Sequence, residues 1–304
     1  MHLRFLLPAD DATALERMVT SRAFRYATGE VDEYGRIRVR YRGLRIDYWP
    51  INNKGRVRGS LHTFALGHNR GRFSADMIAM ACATLAAELG LSAHTLQVYK
   101  LEIGVNIPTP DSPNAFLDTL LQHKQCKFYP VEPPRNCSRP LLFVATHLDY
   151  RVKLYNKGQY DRSKGEMVAA EQRHLLRFEV VFTRGRPLYK LVQRDQLTLA
   201  DLPDPALLGL FAAHLRTHWC LSKRQEAQDL TGLRIQDALL LHARNEVDLW
   251  QQARHTTPSR TLRHHRQRCE QLQEEMRQRL GPHPYEALFH LHLDQLLPTS
   301  KPSG

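Results

Sequence analysis

The sequence predicts an α+β protein: a central, mostly antiparallel β-sheet with helices on one face, followed by an all-helical C-terminal domain. Three observations carry this expectation. Four segments alternate apolar and polar residues with a period of two, the repeat of a half-buried strand. Stretches with helical spacing separate them, and beyond about residue 197 only helical patterns remain. The expected organisation is a domain over 1–198, a helical domain over 199–297 and a flexible tail over 298–304. A chain of 304 residues is long enough to bury a substantial core.

Residues 1–59 read as a β-rich entry. Arg36-Ile-Arg-Val-Arg-Tyr-Arg and Leu44-Arg-Ile-Asp-Tyr-Trp form a hairpin turning at Arg42 and Gly43. Arg36, Arg38, Arg40 and Arg42 share its outward face with no acid before Asp47, which reads as a phosphate-contacting edge. A short strand over 60–64 puts His62 on one face with Ser60 and Phe64. A helix follows, capped by Ser74, with Asp76 in its first turn and Gly90 at its end. In the strand 96–107, Tyr99, Leu101, Ile103, Val105 and Ile107 oppose Lys100, Glu102, Gly104 and Asn106.

A second helix is expected over 112–123, then a loop rich in Pro, Asn and Cys over 126–140. Strands over 141–146 and 149–157 make a hairpin, with Val152 and Leu154 on one face and Arg151, Lys153, Tyr155 and Lys157 on the other. In 175–183, Leu176, Phe178, Val180 and Phe182 oppose Arg177 and Glu179. Helical stretches follow at 206–215, 222–232, 235–253 and 259–280, the last strongly basic.

Composition narrows the partner. Lys and Arg total 43 against 31 Asp and Glu, a formal charge of +12, which favours a polyanion, with nucleic acid ahead of an acidic membrane. Five scattered cysteines without a C-x-x-C pair suit a reducing cytoplasm and argue against a structural zinc site. No secretory signal or apolar run of membrane-spanning length occurs. Neither a G-x-x-x-x-G-K-[ST] phosphate loop nor a G-x-S-x-G elbow is present, which argues against ATP-driven work and serine hydrolase chemistry.

If the four alternating strands share a sheet, their polar faces converge. His62, Glu102 and Glu179 then offer ligands for Mg²⁺ or Mn²⁺, with Asn106 and Arg177 orienting ligands or phosphate. Tyr155 offers a nucleophile for a phosphodiester, a reaction that leaves a phosphotyrosine. A phenol with an ordinary pKa of about 10 needs a cation nearby, and Lys157 stands two residues on. Lys100, Arg151 and Lys153 extend the arginine edge as phosphate contacts.

Several segments in order carry a resemblance. Gly59-Ser-Leu-His62, Gly67-His-Asn69, Leu101-Glu-Ile-Gly-Val-Asn-Ile107, Lys153-Leu-Tyr-Asn-Lys157 and Leu176-Arg-Phe-Glu179 resemble the gene II/X replication initiators. These are HUH-endonuclease-like rolling-circle initiators of filamentous phages and related plasmids and prophages. The resemblance spans about 59–202 and ends at Leu197-Thr-Leu-Ala-Asp-Leu202. It implies a nicking tyrosine at Tyr155 beside Lys157, and acidic strands at Glu102 and Glu179. The implied activity is a metal-dependent, site-specific single-strand endonuclease forming a 5′-phosphotyrosine. Single-stranded or supercoiled origin DNA, a host helicase and the cytoplasm are the implied partners and place.

The chain departs from the best-known relatives of this chemistry, which carry His-hydrophobic-His on one strand. The literal match, His290-Leu-His292, lies in a segment that reads as helix, and His147-Leu-Asp149 lies at a hairpin turn. A relaxase-like nickase using His290 and His292 is therefore one alternative. A non-catalytic basic DNA-binding protein is another, against which stand Glu102 and Glu179, carboxylates that repel a polyanion unless a cation intervenes. Tyr160, five residues past Tyr155, is expected on the opposite strand face, which leaves one nucleophile.

Overall fold

Every strand pairing in the computed structural model is antiparallel. It describes residues 1–7, 12–25, 28–225, 232–243, 246–281 and 283–297. The first part of the chain forms β1 (His2–Leu6), α1 (Ala12–Thr20), α2 (Arg22–Arg25), β2 (Thr28–Val31), β3 (Ile37–Tyr41), β4 (Leu44–Trp49) and β5 (Lys54–Arg58). The middle forms α3 (Leu61–Leu66), α4 (Ala75–Leu89), β6 (Gln97–Pro108), α5 (Asn114–Asp118), β7 (Leu120–His123), β8 (Cys126–Lys127), β9 (Tyr129–Pro130), β10 (Leu142–Thr146) and β11 (Tyr150–Asn156). Then come α6 (Lys157–Ser163), β12 (Leu175–Phe182), α7 (Gly185–Val192), α8 (Pro205–Cys220) and β13 (Ser222–Arg224). The last helices are α9 (Ile235–Ala243), α10 (Val247–Thr256), α11 (Ser259–Leu280) and α12 (Pro284–Asp294).

Ten strands make one sheet in the order β2-β3-β4-β5-β1-β6-β12-β11-β10-β9, and β13-β7-β8 make a small second one. The fold is thus α+β around a large antiparallel sheet. Its spine is β6, twelve residues long. The first residues of β6 pair with β1, whereas 101–108 pair with β12 and, among the described residues, have no strand on their other side. That gap is where the site opens.

The apolar faces decide the packing. Leu101, Ile103, Val105 and Ile107 of β6 and Leu176, Phe178, Val180 and Phe182 of β12 are all buried. Phe178 meets Trp219 of α8 and Phe289 of α12 edge-on, at ring distances of 5.3 and 5.8 Å. Trp219 and Phe289 stack at 4.3 Å. Helix α8 starts where Asp204 accepts from the amide of Ala206 and Pro205 fills the first helical position. The turn after α4 needs Gly90, at φ 68°, because a Cβ there would lie 2.4 Å from the Arg17 carbonyl oxygen.

Several expected elements differ. The 60–64 strand is a helix, α3: the Ser60 hydroxyl caps the amide of Thr63, and Gly67 ends the helix at φ 76°. A helix has no period-two face, so His62 shares none with Ser60 and Phe64. The helix expected over 112–123 stops at Asp118 and continues as β7, while the 126–140 loop contains β8 and β9. Where a helix was expected from Ser222, the chain forms β13 and pairs with β7. The remainder of that stretch includes 226–231, outside the described residues, as is the expected tail 298–304.

The change of pattern near residue 197 is not a break in packing. Leu197 and Leu96 accept backbone hydrogen bonds from Val98 and Leu199, and α8 and α12 complete the core of the sheet. Among the described residues, Leu241, Leu272 and Met276, on α9 and α11, gather into a separate small cluster.

Candidate active site

The register of three strands builds the site. Tyr155 of β11 lies opposite Arg177 of β12, which lies opposite Asn106 of β6. In the next row Lys153 lies opposite Glu179, which lies opposite Gly104. Gly104 leaves room for Glu179: a Cβ there would come within 2.8 Å of the Glu179 Cγ and 2.6 Å of the Phe178 carbonyl oxygen.

Glu179 is the hub. Its Oε1 accepts from Tyr155 Oη at 3.1 Å and from Arg177 Nε, and its Oε2 lies 3.4 Å from Lys153 Nζ. Lys153 Nζ also lies 3.3 Å from Glu102 Oε2, so one ammonium joins the two carboxylates. Burial alone would raise the Glu179 pKa, but Arg177 and Lys153 bring it down to about 2. Burial and the neighbouring Glu179 charge push the Tyr155 phenol well above its usual value. Tyr155 is 7% exposed, so the resting side chain is a buried, protonated donor.

Arg177 also donates to Asn106 Oδ1 at 2.9 Å and to the Asn69 carbonyl at 3.3 Å. Asn106 Nδ2 in turn donates to the carbonyls of Asn69 and Arg70 at 3.0 and 2.9 Å. These bonds draw the segment 69–71 over the free edge of β6. A cavity of about 610 Å³ lies there. Glu102, Asn106, Arg177, Glu179, His62, His292 and 69–73 line it, together with the apolar side chains of Phe211, Leu215 and Leu293.

The expected residues divide. Tyr155, Glu102, Glu179, Asn106, Arg177 and Lys153 come together as the shared face requires. Lys157 does not join them: it opens α6 rather than extending β11, and its Nζ is buried 2.6 Å from Asp161 Oδ1. Asp161 also accepts from Arg70 at 3.0 Å, so Lys157 belongs to a buried ion network that fastens 69–71 to α6. The cations acting on Glu179, which accepts the Tyr155 hydrogen bond, are Arg177 and Lys153. Tyr160 also differs, because α6 brings its ring edge-on to Tyr155 at 5.5 Å.

His62 stacks on Phe73 at 4.5 Å, and its Nε2 is buried without a hydrogen-bond partner. Burial, then the nearby Arg177 charge, lowers its pKa to about 3, which keeps the ring neutral. Among the described residues, no group of three or more His, Cys, Asp and Glu is arranged to hold a metal ion, so His62, Glu102 and Glu179 are not gathered as a ready ligand set. Glu102 and Glu179 alone, two hard carboxylates within reach of one ammonium, fit a divalent cation by their chemistry. His290 and His292 lie on α12, where residues two apart point to different sides, and they form no pair.

The arginine edge is partly engaged. Arg36 pairs with Asp32 at 2.7 Å and Arg42 with Glu88 at 3.0 Å, and Arg38 lies 3.5 Å from Asp47. Arg42 sits in the turn at φ 45°, off the strand face shared by Arg38 and Arg40. Arg40 and Arg151 are exposed, and Lys100 is half-buried.

Sequence reading missed a second polar cluster. His218 Nδ1 lies 2.9 Å from His123 Nε2, His123 Nδ1 lies 2.8 Å from His147 Nε2, and His147 Nδ1 lies 3.4 Å from Cys126 Sγ. Its members come from α8, β7, the β10–β11 turn and β8, and no local spacing announces them. Comparison with protein-family models and with curated proteins gives no match for this chain. No helix among the described residues is long and apolar enough to cross a membrane.

Proposed function

We propose that the chain is a tyrosine-dependent DNA nicking and joining endonuclease that starts rolling-circle replication, acting in the cytoplasm on single-stranded or supercoiled origin DNA with a host helicase. One observation carries this reading: the Tyr155 hydroxyl is bonded to Glu179, with Arg177 and Lys153 beside the same carboxylate. The ordered segments resembling the gene II/X initiators support it, since Tyr155, Glu102 and Glu179 all fall in them.

In the proposed reaction Tyr155 Oη bonds to phosphorus and its proton passes to water, because Arg177 and Lys153 hold Glu179 ionised. The bond from phosphorus to the 3′ oxygen breaks, that oxygen takes a proton from water, and a 5′-phosphotyrosine is left. Arg177 and Lys153 supply positive charge against the phosphate. Glu102 and Glu179 are the residues that would hold Mg²⁺ or Mn²⁺, which when bound polarises the scissile phosphate and favours departure of the 3′ oxygen. Tyr155 is buried with the Tyr160 ring edge-on to it, so the reaction requires that the phosphodiester gain access to its hydroxyl.

The burial of Tyr155 favours a second reading, a DNA-binding protein without turnover. Lys153 and Arg177 neutralise both carboxylates, so their repulsion of DNA no longer speaks against a binder. One experiment separates the two: incubation with single-stranded circular DNA and Mn²⁺, followed by denaturing electrophoresis. A covalent protein–DNA band that disappears in Tyr155→Phe supports the nickase, and its absence from the wild type leaves the binder.

A further inference from the structure

The sheet carries, beside the site, a row of cations in direct cross-strand register. Arg40 lies opposite Arg45, Arg45 opposite Arg58, Arg58 opposite His2 and His2 opposite Lys100. In the adjoining row Arg56 lies opposite Arg4, and both are exposed. Like charges facing each other across strands destabilise a sheet, and a polyanion lying over them relieves the repulsion.

Two carboxylates oppose the two rows: exposed Glu30, 3.8 Å from Arg38, and, from within, Asp47. Asp47 is fully buried, is bound to Arg58, and lies 3.4 Å from Arg45 and 3.5 Å from Arg38. The rest of the field is uncompensated enough to reach His2. Burial, and after it the chain amine, Lys100, Arg58 and Arg56, lowers the His2 pKa to about 4. Five strands at about 4.8 Å spacing make the row roughly 19 Å long. Lys100 shares the β6 face of Glu102, so the row runs into the site.

Two aromatic rings stand among these cations. Trp49, two residues past Asp47 on the same face, is half-buried, with the guanidinium groups of Arg36 and Arg56 at 5.7 and 5.5 Å from its ring. Tyr99, at the register shift between β1 and β6, is half-buried beside Arg4 at 5.9 Å and edge-on to His2 at 5.7 Å. Cations that follow a backbone, with rings that meet base faces, are the means by which proteins hold unpaired strands; a duplex hides those base faces.

We propose that this face of β3, β4, β5, β1 and β6 is a track for single-stranded DNA. Its phosphates lie along the row from Arg40 to Lys100, and its bases lie against Trp49 and Tyr99. The track delivers the strand to Glu102 and Glu179. The choice of DNA rests on the proposed nicking function; the cationic row does not.

The test uses the full chain and a fluorescein-labelled 20-mer of thymidylate, with the matching duplex, a 20-mer of uridylate and phosphatidylserine vesicles as separate arms. Arg4, Arg40 and Lys100 are probed together as the R4Q/R40Q/K100Q variant. This variant is expected to bind the thymidylate at least ten-fold more weakly, and to lower the slope of log K against log salt by about 2, near 0.7 for each lost phosphate contact. The oligonucleotide is also expected to quench tryptophan fluorescence in the wild type and much less in Trp49→Phe, a reading that needs no folding of the triple variant. Unchanged affinity and slope, with no Trp49 quenching, overturn the track, as does preference for the duplex, the uridylate or the vesicles. A covalent adduct in a variant that binds normally leaves the nicking reading standing without the track. Loss of binding in the variant, when the wild type forms no adduct, leaves the track standing without nicking.

Discussion

The hydroxyl of Tyr155 donates to Glu179 Oε1 across 3.1 Å, and the same oxygen accepts from Arg177. Burial and the Glu179 charge keep the tyrosine protonated at rest. The resting side chain is therefore a held phenol rather than a free phenolate.

Tyr155→Phe is expected to abolish the covalent adduct while leaving oligonucleotide affinity within about two-fold, since only the attacking oxygen is lost. The stability cost should be about 1 kcal/mol, for one buried hydrogen bond. Tyr160→Phe keeps the ring that packs edge-on to Tyr155 and should keep most activity. An active Tyr155→Phe with a dead Tyr160→Phe would reverse the assignment of the nucleophile.

Lys153 and Lys157 should separate function from stability. Lys157→Ala strands the buried Asp161 with only Arg70 and should cost about 3–5 kcal/mol in urea unfolding. Lys153 is partly exposed between Glu102 and Glu179, so Lys153→Ala should cost no more than about 1 kcal/mol. It should nevertheless lower adduct formation at least ten-fold. If Lys157→Ala is fully stable and inactive, the roles given to the two lysines are exchanged.

Glu179→Gln should destabilise by about 3–5 kcal/mol, because it leaves Arg177 charged without its main partner. The Glu179 pKa lies below its unfolded value of about 4.5, so its contribution is complete above pH 4.5 and disappears as pH falls toward 2. The wild type should therefore lose its advantage over Glu179→Gln between those limits. Parallel pH–stability curves for the two proteins would contradict the ion pair.

Acid should act earlier through the histidine cluster. Burial and neighbouring positive charge lower the pKa of His123 to about 4 and of His218 to about 3, against an unfolded value near 6.5. Unfolding then takes up protons, so stability is complete above pH 6.5 and falls as pH drops toward 4, by up to about 1.4 kcal/mol per pH unit for each ring. Thermal melts from pH 7 to 4 should show this fall, with a shallower slope in His218→Asn. A flat profile in the wild type would mean that the cluster is not held neutral.

What the sequence made legible was alternation. The faces of β6, β11 and β12 follow from period two, so Glu102, Asn106, Lys153, Tyr155, Arg177 and Glu179 could be placed on one surface before their strands were seen to pair. Lys157 was misplaced because Asn156 caps a helix there: its side chain accepts from the Gln159 amide, and the strand ends one residue too soon. His62 does not lie on a strand because Ser60-Leu-His-Thr suits a cap as well as a strand, and Gly67 seven residues past Ser60 favours the cap. The histidine cluster and the Arg70–Asp161–Lys157 network could not be read at all, since their members meet only through tertiary contact.

The stacking of Phe289 on Trp219, over Phe178, also bears on how the chain comes to be folded. A ribosome releases the sheet strands long before α12, so Phe178 and Trp219 wait without their last cover until nearly the whole described chain has emerged. During that interval the nascent sheet exposes an oily surface of the kind that invites aggregation or a chaperone. A chain cut short before Pro284 would keep Tyr155, Glu179 and their partners, lose His292 and Leu293 from the cavity lining, and be trapped in that sticky half-made condition.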